Sequence, residues 1–298
     1  LHIEDNPLFA SKLRYTLALV EENKSIQFVF THSAEADIKI TTREDSDVPV
    51  AKQFYQRLED GIYDHATHMP DEPIIKTKSG LIDPLASIFY LVNCVQEYEF
   101  PNDQLDHYQR FPYQLSLQYK FGIVERNLVQ EIVDDWFNSN SILSKVDCPT
   151  KRSTVFLCHD IDFVYNPIWS ELKWAMRQGK LKKLSDNIIS LIRKKSIHLD
   201  TNLIQKLHEQ YGYQSHYFWI TNNKQNDPKI KNGDYEFDSK FIQCQINQLK
   251  DGSIVGLHKS TNPSSLDQEA QQFKHQIKYN RYHYLKYELP QAWQALEN

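Results

Sequence analysis

The hydrophobic positions in the first half of the chain follow helical and strand-like patterns in turn. Phe9, Leu13, Leu17 and Val20 recur every three or four residues, which predicts a helix over residues 8–20. Segments rich in β-branched and aromatic residues come after it and predict strands. They are "SIQFVF" at 25–30, "ADIKITT" at 36–42 and "EPIIKTKSG" at 72–80. A helix is predicted between the last two, over residues 50–61, and is ended by Gly61.

The clearest helix of this half is "DPLASIFYLVNCVQEY" at 83–98. Asp83 is a good N-cap residue, and Pro84 stands at the first helical position, where a missing N–H costs nothing. One apolar stripe runs along the helix through Leu85, Ile88, Phe89, Val92 and Val95. Helices alternating with strands predict a small α/β domain in this half. The segment at 138–154 is polar and contains a proline, so we place the end of the domain within it, at residue 148.

The second half repeats a strand followed by a helix four times. Strands are predicted at 153–160, 216–220, 253–258 and 281–287, and helices at 168–178, 181–194, 200–212, 238–252, 264–279 and from 290 onward. Strands that alternate with helices are typical of a parallel sheet or barrel. The chain is therefore predicted to have two domains, 1–148 and 149–298.

Composition narrows the classes of partner. The net charge of −5 gives no general attraction to nucleic acid or to anionic membranes. No apolar run approaches the ~18 residues of a membrane-spanning helix, and no signal peptide is evident. The four cysteines form no CxxC pair, which favours free thiols in a reducing compartment and a cytoplasmic location.

Candidate chemistry stands at the ends of two predicted parallel strands. "VFLCHDIDFVY" at 155–165 ends its strand with Asp160 and Asp162, and the strand at 253–258 ends with His258. Residues i and i+2 of a strand point the same way, so both carboxylates are expected in one cavity, ~7 Å apart. A divalent cation on one carboxylate would relieve their repulsion and leave the other as a base. Alternatively, the two aspartates are a helix cap or loop anchor, and His258 is a structural histidine.

Several segments resemble one protein family. "FLCHDID" at 156–162 is similar to the "THDVD" motif of a branch of the polysaccharide deacetylase (NodB-homology) superfamily. "SIVGLHKS" at 253–260 resembles its "EIGLHPS" segment, and "RYHYLKYELPQAWQAL" at 281–296 resembles its "RxHYLR" segment. Residues 83–117 look like the accessory domain of that branch, whose signature is matched by Phe89 to Tyr98 and then by Asp106, Arg110 and Phe111.

The resemblance implies an irregular (β/α) barrel of NodB type and an enzyme that removes acetyl groups from amino sugars or polysaccharide intermediates, with a carbohydrate as substrate. By position, Asp160 would be the general base, Asp162 and His258 metal ligands, and zinc the first choice of metal, with cobalt or nickel as alternatives. Asn262 stands where the family has a second ligand histidine, and His283 or His275 is an alternative. About four strands are present, which predicts a truncated barrel or a core completed by another chain or by the N-terminal domain.

Other charged residues have two interpretations each. Arg281 would bind a substrate anion or hold Asp160 in an ion pair, and His283 would be the catalytic acid. Asp106 and Arg110 are interpreted as an internal ion pair that anchors a loop. The rival functions are a catalytically degenerate relative that binds glycan without hydrolysing it, and a structural α/β protein in which the "HDID" segment only caps a loop.

Overall fold

The computed structural model describes residues 1–32, 35–64, 70–150, 154–165, 168–180, 199–224, 230–249 and 252–297, with residues 182, 185, 188 and 189. The chain divides into two compact units. Unit 1 comprises Leu1–Arg152 and Tyr287–Asn298, and unit 2 comprises Ser153–Lys286. The C-terminal segment thus differs from its predicted place in the second domain. It joins unit 1 because Leu289 is buried there and accepts a hydrogen bond from the Glu99 backbone N–H at 3.0 Å.

Unit 1 contains a small parallel sheet covered by helices. The strands are β1 (His2–Ile3), β2 (Lys39–Thr41) and β3 (Val48–Pro49), in the order β1-β2-β3. The helices are α1 (Ala10–Lys24), α2 (Lys52–Glu59), α3 (Pro84–Val92), α4 (Leu117–Lys120) and α5 (Leu128–Ser139). The predicted apolar positions of α1, namely Phe9, Leu13, Leu17 and Val20, are all buried in the core.

Two of the predicted strands in unit 1 are wrong. Residues 25–30 have no strand partner, Val29 is 79% exposed, and the Ile26 N–H caps α1 by donating to the Glu21 carbonyl. Residues 72–80 contribute only an isolated bridge between Lys76 and Ile82. β-branched residues favour a strand only where neighbouring strands bury them, and neither segment has such neighbours.

The prediction for α3 is confirmed at its start and corrected at its end. The Asp83 side chain accepts a hydrogen bond from the Ala86 N–H, and Pro84 is the first helical residue. The helix ends at Val92, earlier than predicted, because Cys94 adopts a left-handed conformation with φ of 51°. A 3-10 turn over Val95–Glu97 continues the chain.

Unit 2 is built on a curled parallel sheet of four strands, so the predicted mixed α/β class is confirmed and the sheet has the form of a partial barrel. The strands are β4 (Leu157–Ile161), β5 (Ser215–Trp219), β6 (Val255–Lys259) and β7 (Asn280–Tyr282), adjacent in chain order. The helices are α6 (Ile168–Arg177), α7 (Thr201–Glu209), α8 (Lys240–Asn247) and α9 (Leu266–Ala270), while α10 (Gln291–Glu297) belongs to unit 1.

Most helix predictions for the second half hold in position but not in length. The helix predicted at 264–279 extends only over Leu266–Ala270, and the one predicted at 238–252 begins at Lys240, capped by Ser239. The segment predicted as a strand at 281–287 leaves the sheet after Tyr282 and turns through a 3-10 helix at His283–Leu285. The helix predicted at 181–194 lies largely outside the described residues.

The register of the sheet separates a core face from a polar face. Ile161, Tyr217, Trp219 and Leu257 are buried in the hydrophobic core of unit 2. Side chains alternate along a strand, so the intervening residues point to the opposite face. Asp160 lies opposite Phe218 in the register, and His258 lies opposite Arg281. The candidate residues therefore share one face of the sheet.

Gly256 permits close packing on that polar face. An added Cβ would lie 2.6 Å from the Phe218 ring and 2.9 Å from the Tyr279 carbonyl oxygen. Glycine is thus required two residues before His258, where three strands come close together.

Candidate metal centre

Three side chains converge at the C-terminal edge of the unit 2 sheet. Asp162 follows the last residue of β4, His258 lies near the end of β6, and His283 follows β7. Parallel strands bring their carboxyl ends to one edge, which is where loops supply functional groups in this kind of fold. Among the described residues, these three form the group that could hold a metal ion.

The ligand atoms have the spacing that one small cation requires. Asp162 Oδ1 lies 3.2 Å from His258 Nε2 and 3.5 Å from His283 Nδ1, and the two nitrogens are 3.0 Å apart. Ligands bound at about 2.0–2.1 Å to one tetrahedral ion would stand about 3.3 Å apart. The three observed separations bracket that value.

Backbone carbonyls fix which nitrogen of each ring faces inward. His258 Nδ1 lies 3.1 Å from the Arg281 carbonyl, and His283 Nε2 lies 2.8 Å from the Lys231 carbonyl. A carbonyl oxygen only accepts, so each of these nitrogens carries its ring's proton and donates. The opposite nitrogen of each neutral ring then presents a lone pair to Asp162. Outer contacts of this kind orient histidine ligands in metal sites.

The two histidines and one carboxylate oxygen of the centre are buried, and no lysine or arginine among the described residues forms an ion pair with Asp162. His258 is 2% exposed and His283 is 4% exposed. Asp162 Oδ1 is buried and accepts no hydrogen bond, although two imidazole nitrogens face it. Burial lowers the pKa of His283, and this effect outweighs the hydrogen bond to Lys231 and the charge of Asp162, which both act to raise it. A neutral His283 leaves one anion and two lone pairs together, and these donors fit a divalent cation.

Asp160 has a different partner from Asp162. Its Oδ1 lies 3.1 Å from Arg281 Nη1, and the side chain is 30% exposed. Arg281 also donates to Cys158 Sγ at 3.2 Å, and its guanidinium carbon lies 5.8 Å from the Phe218 ring centre. Of the two interpretations of Arg281, the geometry shows the ion pair with Asp160. The charge of Asp160 acts on His283, so the pair lies beside the centre.

The structure bears on the predicted roles of His283 and Asn262. His283, predicted as a catalytic acid and alternatively as the second histidine ligand, presents its Nδ1 together with the ligand atoms of Asp162 and His258. Asn262, predicted as a ligand, donates its side-chain N–H to the Asn222 carbonyl at 3.3 Å, while its Oδ1 is buried and has no hydrogen-bond partner among the described residues. Its role as a ligand stays a prediction. The alternative ligand His275 is exposed and contacts Phe273. β7 ends at Tyr282, and the 3-10 turn that follows begins with His283, whose Nδ1 lies 3.0 Å from His258 Nε2.

Sequence reasoning missed the segment Lys231–Tyr235, which forms hydrogen bonds with His283 and with the loop that carries Asp162. Asp234 accepts the backbone N–H groups of Val164 at 2.7 Å and Tyr165 at 3.0 Å, two and three residues after Asp162. Its own backbone N–H donates to the Asp162 carbonyl at 3.3 Å. These contacts fix the loop that carries the carboxylate ligand.

Tyr235 and Asn232 extend this support to the neighbouring strands. The Tyr235 hydroxyl donates to the Ile161 carbonyl at 2.7 Å and accepts the Ile220 N–H at 2.8 Å, so it joins the ends of β4 and β5. Asn232 Oδ1 accepts from both the backbone and the hydroxyl of Thr261, beyond β6. The letters "KNGDY" at 231–235 indicate only a turn, since these contacts are far apart in sequence.

A buried ion pair holds the loop after His258. Lys259 Nζ lies 2.9 Å from Glu269 Oε1 and also donates to the carbonyls of Ser260 and Asn262. Glu269 has no exposed surface and accepts hydrogen bonds from the backbone and hydroxyl of Ser260. Both charges are therefore satisfied, and the loop beside the metal centre is firmly held.

Comparison with known protein families finds a match that lies within unit 1. A family of unknown function (DUF7033) matches residues 3–139. No curated protein matches the chain, and no solved structure matches it. None of the described helices has the length and apolar character needed to cross a membrane.

Proposed function

We propose that unit 2 is a metal-dependent hydrolase that removes acetyl groups from amino sugars or polysaccharide intermediates. One observation carries the proposal: a carboxylate oxygen and two inward-facing imidazole nitrogens meet at the C-terminal edge of a parallel sheet. Three protein ligands leave coordination positions open, as in hydrolytic zinc sites. The similarity of residues 156–162 and 253–260 to polysaccharide deacetylase motifs supports the choice of reaction.

Asp162, His258 and His283 would hold the ion, with zinc as first choice and cobalt or nickel as alternatives. A divalent ion bound there would supply Lewis acidity to a water molecule and to the acetyl carbonyl. The backbone carbonyls of Arg281 and Lys231 keep both rings in the tautomer that ligation requires.

Asp160 is the candidate proton acceptor. Its carboxylate is partly exposed on the same face as the metal centre, and Arg281 fixes its position through the 3.1 Å ion pair. Asp160 would take a proton from the attacking water and return one to the departing amine. Arg281 is a positioning residue in this scheme, since it acts through Asp160.

The test combines metal content with turnover. Elemental analysis of the zinc-loaded chain should find about one metal per chain, retained in Asp160→Asn and lost in Asp162→Ala and His258→Ala. His275→Ala is the matched control, since that histidine is exposed and should leave metal content unchanged. Acetate release from N-acetylglucosamine oligomers should occur only in the protein with both metal and Asp160.

The possible failures have different meanings. Absence of metal in the wild-type protein after zinc loading would refute the centre itself. Stable metal binding without acetate release would refute the hydrolase and favour the alternative, a relative that binds glycan without cleaving it.

A further inference from the structure

Unit 1 contains a cavity of about 250 Å³ for which sequence analysis assigned no role. It lies between the segment after α3 and the C-terminal segment that packs on it. The lining residues are Glu97, Glu99, Phe100, Asn102, Leu105, Gln109, Phe111, Tyr287, Glu288, Leu289 and Gln291. All of them belong to unit 1, so the cavity is a property of that unit alone.

The loop that forms one wall is held rigidly. Asp106 accepts the backbone N–H groups of Tyr108 and Arg110, and its other oxygen accepts from Arg110 Nε at 2.9 Å. This confirms the predicted anchoring ion pair between Asp106 and Arg110. Gln109, inside the anchored loop, adopts a positive φ of 61° and lines the cavity. The anchor therefore shapes a wall of the cavity.

The opposite wall is joined to the first by backbone contacts. Glu99 donates its backbone N–H to the Leu289 carbonyl at 3.0 Å, and Tyr98 forms a parallel bridge with Leu289. Phe100 and Phe111 pack edge to face with ring centres 4.7 Å apart. The cavity is thus preformed, with aromatic surface on a rigid frame.

The charges that line the cavity have one sign. Glu97, Glu99 and Glu288 contribute carboxylates, and the lining residues that the structure describes include no lysine, arginine or histidine. Glu97 is half-buried, and the described residues give its side chain no hydrogen-bond or ion-pair partner. Burial raises the pKa of Glu97, because no neighbouring cation compensates the lost hydration. A bound cation would supply that compensation.

The remaining lining groups suit a ligand with a ring and several hydroxyls. Asn102 and Gln291 offer amides, which donate to and accept from hydroxyl groups. Phe100, Phe111 and Tyr287 offer aromatic surface for the face of a sugar ring or for an ammonium group. The volume lies below the roughly 300–1,000 Å³ of sites for drug-sized ligands, which limits the occupant to about one ring.

We infer that this cavity binds a protonated amino sugar, with the ammonium group at the carboxylates of Glu97 and Glu288 and the ring against Phe100 and Phe111. The ligand class follows from the cavity and does not depend on the metal centre. Its link to catalysis rests on the proposed function, because hydrolysis of an acetamido group leaves this kind of amine. Unit 1 would then hold the deacetylated product or a partly deacetylated chain.

The test is a calorimetric titration of the full chain with D-glucosamine, N-acetyl-D-glucosamine and D-glucose. A ligand of this size is expected to bind with a Kd of about 1 mM. Glucosamine should bind at least about tenfold more tightly than the two uncharged sugars. Glu97→Gln and Glu288→Gln should each remove that preference, whereas Glu125→Gln, the same change at an exposed position outside the cavity, should preserve it.

A second titration uses Asp162→Ala, which removes the metal centre and any binding of glucosamine there. Retained preference for glucosamine in this variant supports the cavity even if no hydrolysis is found. Equal affinity for glucosamine and N-acetylglucosamine would overturn the inference. It would also be overturned if both glutamine variants bound glucosamine as the wild type does, or if no saturable binding occurred at about 30 mM.

Discussion

Asp83 makes the stability of unit 1 depend on pH. The residue has no exposed surface, and its two oxygens accept the backbone N–H groups of Ala86 at 2.8 Å and Ala51 at 2.7 Å. Burial raises the pKa of Asp83 to about 6, and the N–H groups of Ala51, Ala86 and Leu85 lower it by a smaller amount. Desolvation therefore outweighs hydrogen bonding at this position.

The sign and size of the effect follow from the two pKa values. The ordinary value of 3.8 applies to the unfolded chain, so the folded state binds more protons between that value and about 6. The stabilising contribution is fully present below the unfolded pKa and is lost as pH rises through the folded one. A shift of about two units corresponds to about 3 kcal/mol of unfolding free energy.

Asp83→Asn isolates this contribution. The asparagine keeps the shape and one acceptor but turns an amide N–H₂ toward a backbone N–H, which costs about 1–3 kcal/mol at every pH. All other titrating groups are shared by the two proteins. The excess stability of the wild type over the variant should therefore be about 2–2.5 kcal/mol larger near pH 4 than near pH 7, since part of the shift is already lost at pH 4.

The assay is urea unfolding at several pH values, followed by hydrogen exchange in the peptide that covers Pro84–Val92, which reports on unit 1. A difference between the proteins that stays constant within about 0.5 kcal/mol across this range would refute the reasoning. A difference that grows toward neutral pH would show instead that hydrogen bonding outweighs burial.

Three further predictions concern unit 2. Asp234→Ala should weaken zinc affinity by about 10–100-fold in a chelator competition, because the loop after Asp162 loses its support. The control Asp238→Ala, at an exposed position, should leave zinc affinity unchanged. Glu269→Gln should lower the unfolding free energy of unit 2 by about 3–5 kcal/mol in denaturant melts, since Lys259 would remain buried and charged, and a loss below about 1 kcal/mol would contradict this. Arg281→Gln should reduce acetate release by about 10-fold or more at unchanged metal content, and lost metal would contradict its role as a positioning residue.

The local pattern of the sequence was sufficient to predict where the helices with strong N-caps begin. Asp83 and Asp200 both cap the helices predicted from them. A cap acts on the next three residues, so its signal is complete within a few letters of sequence. The segment at 25–30 shows the limit, because its strand-like composition found no partner strand to pair with.

The metal centre was predictable in part for a similar reason. Asp162 and His258 stand at the ends of strands that the hydrophobic pattern reveals, so their convergence follows from a parallel sheet. His283 was predicted first as the catalytic acid and only alternatively as a ligand, because its place depends on where β7 stops and how the 3-10 turn after it is oriented. Neither depends on a local pattern, and the supporting contacts of Asp234 span 69 and 70 residues.

The structure also bears on whether Asp162 is only a loop anchor. An aspartate at a strand end often accepts the N–H groups of the next residues, and this was the alternative interpretation of the "HDID" segment. Here Asp234, from a distant segment, accepts the N–H groups of Val164 and Tyr165. Asp162 Oδ1 accepts none and points instead toward His258 and His283. Because the loop is anchored by another carboxylate, that of Asp162 is left available for a cation.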